Sequence, residues 1–162
     1  MRHCARPIVP LALAVLALGV LGKPASADGL RWQHRESASG AVLAWEKPDT
    51  DDQPLVFSCN ASDRSLRVGY VHPSGQRSRD IPLELSSEGG RVQLRMQGER
   101  SELDDSFVLS TRTSLTPELM NVLSRGRHLT VRVRGDVARI PLAGAAPGVA
   151  ELARKCGATP TG

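Results

Sequence analysis

Two acidic groups carry the residue types that metal binding or sugar hydrolysis would use: Asp49, Asp51 and Asp52, and Glu102, Asp104 and Asp105. The first matches the start of a calcium loop in residue type. Neither group has the glycine and distal glutamate that such a loop needs to turn sharply and to close on the ion. Facing carboxylates in the second group would suit acid–base cleavage of a glycosidic bond. The chain, however, has only two Trp, one Tyr and two Phe with which to line a sugar groove. Solvated turns account for both groups. His34, His72 and His128 stand far apart, and read as solvent-facing residues rather than as a zinc site. No G-x-S-x-G, S-x-x-K, C-x-x-C or H-E-x-x-H pattern is present. The residues therefore nominate no catalytic group, and no cofactor or metal is expected.

Arginine supplies the more informative chemistry. Arg91 and Arg95 alternate with Val92, Leu94 and Met96, while Arg132 and Arg134 alternate with Leu129, Val131 and Val133. Each set forms an outward ridge on a half-buried strand. If the two strands are neighbours, the ridges merge into a patch suited to an acidic protein or an anionic envelope polymer, unless acidic residues on adjacent strands neutralise it. No aromatic residue interleaves with these arginines to stack bases, so nucleic acid is not the expected partner.

Most elements that would position these groups have period two. Apolar residues alternate at Ala41–Trp45, Leu55–Cys59, Leu66–Tyr70, Ile81–Leu85, Val92–Met96, Phe107–Leu109 and Leu129–Val133, with a further strand over Val137–Leu142. The polar stretch Lys47–Gln53 predicts a hairpin between the first two, Gly89-Gly90 a turn, and Gly135-Asp136 a tight turn into the last strand. Thr116-Pro117 opens a short helix with Leu119, Met120, Val122 and Leu123 on its apolar side and Gly126 beyond its end. Val149, Leu152, Ala153 and Cys156 make an apolar stripe on a second helix. The expected architecture is mainly β, an antiparallel sandwich or flattened barrel with two short helices.

Residues 1–27 have the parts of a secretory signal: Arg2 and Arg6, the uncharged apolar run Ile8–Leu21, and Ala25-Ser26-Ala27 as a cleavage site. That run of 14 residues is shorter than the roughly 20 needed to cross a bilayer, so no membrane span is expected after cleavage. Loss of the signal leaves 18 basic and 17 acidic side chains. A high isoelectric point for the whole chain is then poor evidence for a polyanion partner. The expected organisation is a signal at 1–27, one domain at 28–156 and a loose tail at 157–162, with the protein periplasmic or secreted. Cys59 and Cys156 remain after cleavage, each on the apolar side of its own element. In an oxidising compartment they predict one disulfide pinning the terminal helix to the sheet, two buried thiols being the competing reading.

Several segments together resemble small exported proteins of proteobacteria described only as hypothetical or as domains of unknown function. These are Trp32, Gly40–Trp45, Pro48–Asp52, Leu55–Cys59, and Pro141–Gly144 with Leu152 and Cys156. More distantly, the two cysteine segments resemble periplasmic proteins of the invasion-associated locus B type. The resemblance implies a bacterial β-domain outside the cytoplasm and carries over no substrate or catalytic residue. The expected function is a non-catalytic binding or accessory module of the envelope. Two alternatives are a periplasmic inhibitor of a lysozyme or protease acting through the Asp49, Asp51 and Asp52 loop, and a hydrolase using Glu102, Asp104 or Asp105.

Overall fold

A computed structural model describes residues 29–72, 78–101 and 106–157. The signal segment, the turn at Pro73–Gly75, the group Glu102, Asp104 and Asp105, and all of the tail except Gly157 lie outside the described residues.

Nine strands follow in chain order: β1 (Arg31–Ser37), β2 (Gly40–Glu46), β3 (Leu55–Asn60), β4 (Ser65–His72), β5 (Ser78–Ser87), β6 (Gly90–Arg100), β7 (Phe107–Thr113), β8 (His128–Val133) and β9 (Asp136–Pro141). Helix α1 (Pro117–Ser124) lies between β7 and β8, and α2 (Ala146–Cys156) follows β9. All nine strands join in one antiparallel sheet, ordered β1-β2-β3-β4-β7-β6-β5-β8-β9. The sheet is a curled half-barrel, the flattened-barrel form of the expectation and not the two-sheet sandwich. Its two edges approach each other, because the indole N–H of Trp32 on β1 donates to the carbonyl of Pro141 on β9 at 2.7 Å.

One face of the curl holds the core. Leu43, Phe57, Leu66, Leu83, Leu85 and Leu129 on the strands are fully buried, together with Leu119 and Leu123 of α1 and Leu152 of α2. Burying each such side chain contributes roughly 1.5–3 kcal/mol, which lets a core poor in aromatics hold. Thr116 caps α1 through its side-chain oxygen, which accepts from the Leu119 N–H at 3.2 Å, and Pro117 begins the helix. Helix α2 packs on β1, β2 and β3, while α1 packs on β5 and β6. Cys59 and Cys156 form the expected disulfide, with Cα atoms 5.9 Å apart. Gly157 continues this anchorage in a parallel bridge to Leu115.

One strand was not anticipated, and two local readings are corrected. Strand β1 has no apolar alternation to announce it, since Trp32 is its only large apolar residue. The β8–β9 turn is Arg134-Gly135, one residue earlier than expected: Val133 pairs with Asp136, and both turn residues have positive φ (47° and 98°). A two-residue turn that follows the twist of the strands needs that backbone conformation. His72 is buried rather than solvent-facing, at 4% exposure, because alternation along β4 carries it inward after Val68 and Tyr70. Its Nε2 lies 3.1 Å from the Asp136 carboxylate.

Candidate functional site

Strand register assigns the charged strand residues to a face, apart from Arg79 and Asp80, which lie in the bulge of β5 where the register shifts. Positions paired across the sheet with Leu43, Phe57, Val68, Leu83 and Val131 face the core, and their neighbours face outward. On the β1–β7 half the outward set includes Arg31, Arg35, Arg67 and Arg112; on the β6–β9 half it includes Arg91, Arg95, Arg132 and Arg139. Against these eight arginines the outward positions assigned by register hold three carboxylates, Glu46, Glu84 and Glu99, and Asp63 of the β3–β4 turn stands 3.6 Å from Arg112. No described helix covers this face. A chain that is nearly neutral after residue 27 therefore concentrates positive charge on one side of its sheet.

Two of the carboxylates are engaged by arginines. Glu46 is buried beneath Arg35, which forms a two-pronged ion pair with it, and Gln53 donates to the same carboxylate. The Arg35 guanidinium is the main reason that the Glu46 pKa lies below the usual glutamate range. Glu84 on β5 accepts from Arg132 at 3.0 Å on one oxygen, and its other oxygen stands 3.4 Å from Nε of Arg91.

Glu84 changes the expected patch. Strands β6 and β8 are not neighbours; β5 lies between them. Arg91 and Arg132 meet through the Glu84 carboxylate instead of forming a continuous ridge. Arg95 lies opposite Pro82 and makes no ion pair among the described residues, and Arg134 is a turn residue beyond the end of β8.

Sequence reasoning missed Arg139. It occupies an outward position of β9 and completes a row of directly opposed residues over four strands: Arg91, Ser86, Thr130 and Arg139. The alternation of Ala138 and Ile140 around it was the available signal. An open cleft of about 570 Å3 lies over this row, its lining including His128, Glu88 and Ser87. At one end, Glu88 of the β5–β6 hairpin holds the loop after α1: both carboxylate oxygens lie 3.3 Å from the backbone N–H of Arg127. Backbone N–H groups of Glu88 itself and of Arg127 keep the Glu88 pKa below its ordinary value. Seated there, the hairpin tip forms the end wall of the cleft.

The other nominated residues lie apart from this row. Asp49, Asp51 and Asp52 are exposed on a braced loop, where the Thr50 hydroxyl donates to the Lys47 carbonyl at 2.8 Å and Lys47 N–H to the Asp52 carbonyl at 2.9 Å. His34 pairs with Glu151 of α2 at 3.1 Å on the core side, while His128 lines the cleft. Among the described residues no three His, Cys, Asp or Glu side chains form a metal-binding group. None of the described helices is long and apolar enough to cross a membrane.

No family model matches the chain, and no curated protein matches it. Among solved structures, the chain is similar to invasion associated protein B from Bartonella henselae, at 12% identity and a TM-score of 0.49. The match covers 76% of this chain and 92% of that one.

Proposed function

We propose that this chain is a non-catalytic binding module of the bacterial cell envelope, exported by its amino-terminal segment, and that it engages an anionic partner through the outer face of its sheet. The observation that carries this reading is the segregation of charge: eight outward strand arginines face three strand carboxylates, two of them already engaged by arginines, and one turn carboxylate, Asp63, beside Arg112. A field of one sign over an uncovered sheet raises the local concentration of an oppositely charged partner and speeds encounter. The curled scaffold, tied by a disulfide and by the Trp32–Pro141 contact, keeps the arginine spacing constant, so little ordering entropy opposes binding. The braced acidic loop at Asp49–Asp52 supports the second reading, inhibition of a hydrolase, because a pre-ordered loop is what an inhibitor inserts.

The test is charge reversal at Arg67 and Arg95, which form no ion pair among the described residues. Retention on an immobilised polyanion should fall in the Arg67→Glu, Arg95→Glu double variant with no loss of Tm. It should also fade for the unaltered protein toward 1 M salt, where the Debye length is about 3 Å. Retention that ignores both changes would refute the outer-face reading. Loss of hydrolase inhibition on replacing Asp49, Asp51 and Asp52 by Asn would favour the loop.

A further inference from the structure

We propose that the cleft beside the β5–β6 hairpin binds a phosphomonoester group, held between the guanidinium groups of Arg91 and Arg139 and above the hydroxyls of Ser86 and Thr130. This inference rests on the reading of the outer face as the binding surface, and gives that surface a ligand chemistry.

Three observations lead to it. First, the four residues are opposed in register across β6, β5, β8 and β9, so the arginines bracket the hydroxyls. Three strand spacings of about 4.8 Å separate the two arginine backbones, close to twice the reach of an extended arginine side chain. Both guanidinium groups can therefore meet one ligand over the middle of the row. Second, the donors are open. Among the described residues, the side chains of Ser86, Thr130 and Arg139 have no hydrogen-bonding or ionic protein partner, and the Ser87 hydroxyl accepts from the Gly89 N–H at 2.9 Å while its own proton stays free to donate. Arg91 is steadied from the neighbouring row by Glu84 at its Nε, which leaves its two terminal nitrogens for a ligand. Third, the carboxylate in the lining, Glu88, is turned to the backbone N–H of Arg127 in the loop after α1.

The arrangement selects among anions. A planar carboxylate is satisfied by one guanidinium in a two-pronged pair and has no further use for hydroxyls beneath it. A phosphomonoester has three terminal oxygens directed along different axes and carries close to two negative charges at neutral pH. Arginines from opposite sides and hydroxyls from the floor supply donors along those axes. The open side of the cleft leaves room for the ester substituent, whether a sugar or a lipid.

Amide and arginine Nε resonances of the full chain would be followed during titration with inorganic phosphate, glucose 1-phosphate and acetate. Saturable shifts at Ser86, Thr130 and Arg139 are expected with both phosphates, and none that saturate with acetate over the same range. Arg139→Ala should weaken phosphate binding roughly tenfold, the loss of one charge-assisted hydrogen-bonding partner. Thr130→Val should weaken it at unchanged Tm, whereas Arg67→Glu, Arg95→Glu should leave it intact. Sedimentation with phosphatidylcholine vesicles only when they contain phosphatidic acid would assign the group to a lipid; saturation by glucose 1-phosphate at lower concentration than by inorganic phosphate would assign it to a sugar. Equal responses to acetate and phosphate, shifts that never saturate, or an Arg139→Ala variant that binds normally would overturn the proposal. If the cleft fails while polyanion retention still depends on Arg67 and Arg95, only the phosphomonoester site is lost; if that dependence is absent too, the outer-face reading falls with it.

Discussion

Glu46 ends β2 at 8% exposure on the outward face of the sheet, and its charge is tolerable there because Arg35 and Gln53 close over it. The ion pair crosses the row that contains Ala44 and Gln33, and Ala44 is wholly buried as a result. Removing Arg35 strands the carboxylate. Arg35→Met is expected to destabilise the fold by about 1–3 kcal/mol in urea titration, less than for a fully buried pair because the Arg35 side chain is 52% exposed. Glu36 makes the corresponding link on the core side of β1. It accepts from Arg154 through two bonds of 2.9 Å and stands 3.2 Å from Nζ of Lys155. Arg154 first, then Lys155, hold its pKa down to about 2. A folded-state value below the unfolded one, about 4.3, stabilises above that unfolded value, and the contribution is lost as pH falls through the folded value. The Tm difference between the unaltered protein and Glu36→Gln should therefore be present at neutral pH and shrink to nothing between about pH 4.3 and 2. A difference that persists at the acid end would remove Glu36 from the acid response.

At the scale of elements, α2 is the clamp of the fold. It contacts three strands, carries the disulfide, and comes so close to β2 that a Cβ at Gly148 would lie 2.6 Å from Cδ1 of Leu43 and 2.9 Å from Cβ of His34. The leucine terminus can move; the His34 Cβ is fixed to its strand. Gly148→Ala, in the first turn of α2, gains at most about 1 kcal/mol of helix propensity but meets an overpacking penalty of about 1–3 kcal/mol. The expected result is a net loss of stability from a substitution that normally strengthens a helix, measured as a lower urea midpoint. The disulfide closes a loop with a sequence separation of 97 residues. Chain entropy for a loop of that length gives about 4–5 kcal/mol as an upper figure, and two buried hydroxyls would add to the loss in Cys59→Ser, Cys156→Ser. Urea unfolding of that variant should show a drop of several kcal/mol. Wild-type stability after both replacements would mean that α2 is held by packing alone.

The whole molecule separates its charges: arginines lie outward on the sheet, and carboxylates such as Glu36 and Glu151 bind its core-side contacts. Retention on a cation exchanger should therefore exceed that of a protein with evenly spread charge and the same near-zero net value. The Arg67→Glu, Arg95→Glu variant should elute markedly earlier than its four-unit change in formal charge would cause on an even distribution. Elution at the position set by net charge alone would show that the face does not act as a unit.

Local patterning determined much of this protein. Clean alternation over Val92–Gln97 marked β6, Thr116-Pro117 and Gly126 bounded α1, and the apolar settings of Cys59 and Cys156 predicted their bridge, because face and cap preferences are read within a few residues. Tertiary structure decided what neighbours what. Sequence places Arg91 and Arg132 on outward ridges, but only strand order sets β5, and with it Glu84, between them. Strand β1 likewise gains its place from a hairpin with β2 and from distant contacts with α2 and Pro141 rather than from its own pattern. Long-range pairing also brings Arg139 into line with Arg91 across four strands. Alternation tells a residue which way to face at no distance at all; a row of ligand-binding donors exists only after chain segments nearly 50 residues apart have paired, and that depends on the free energy of the whole sheet.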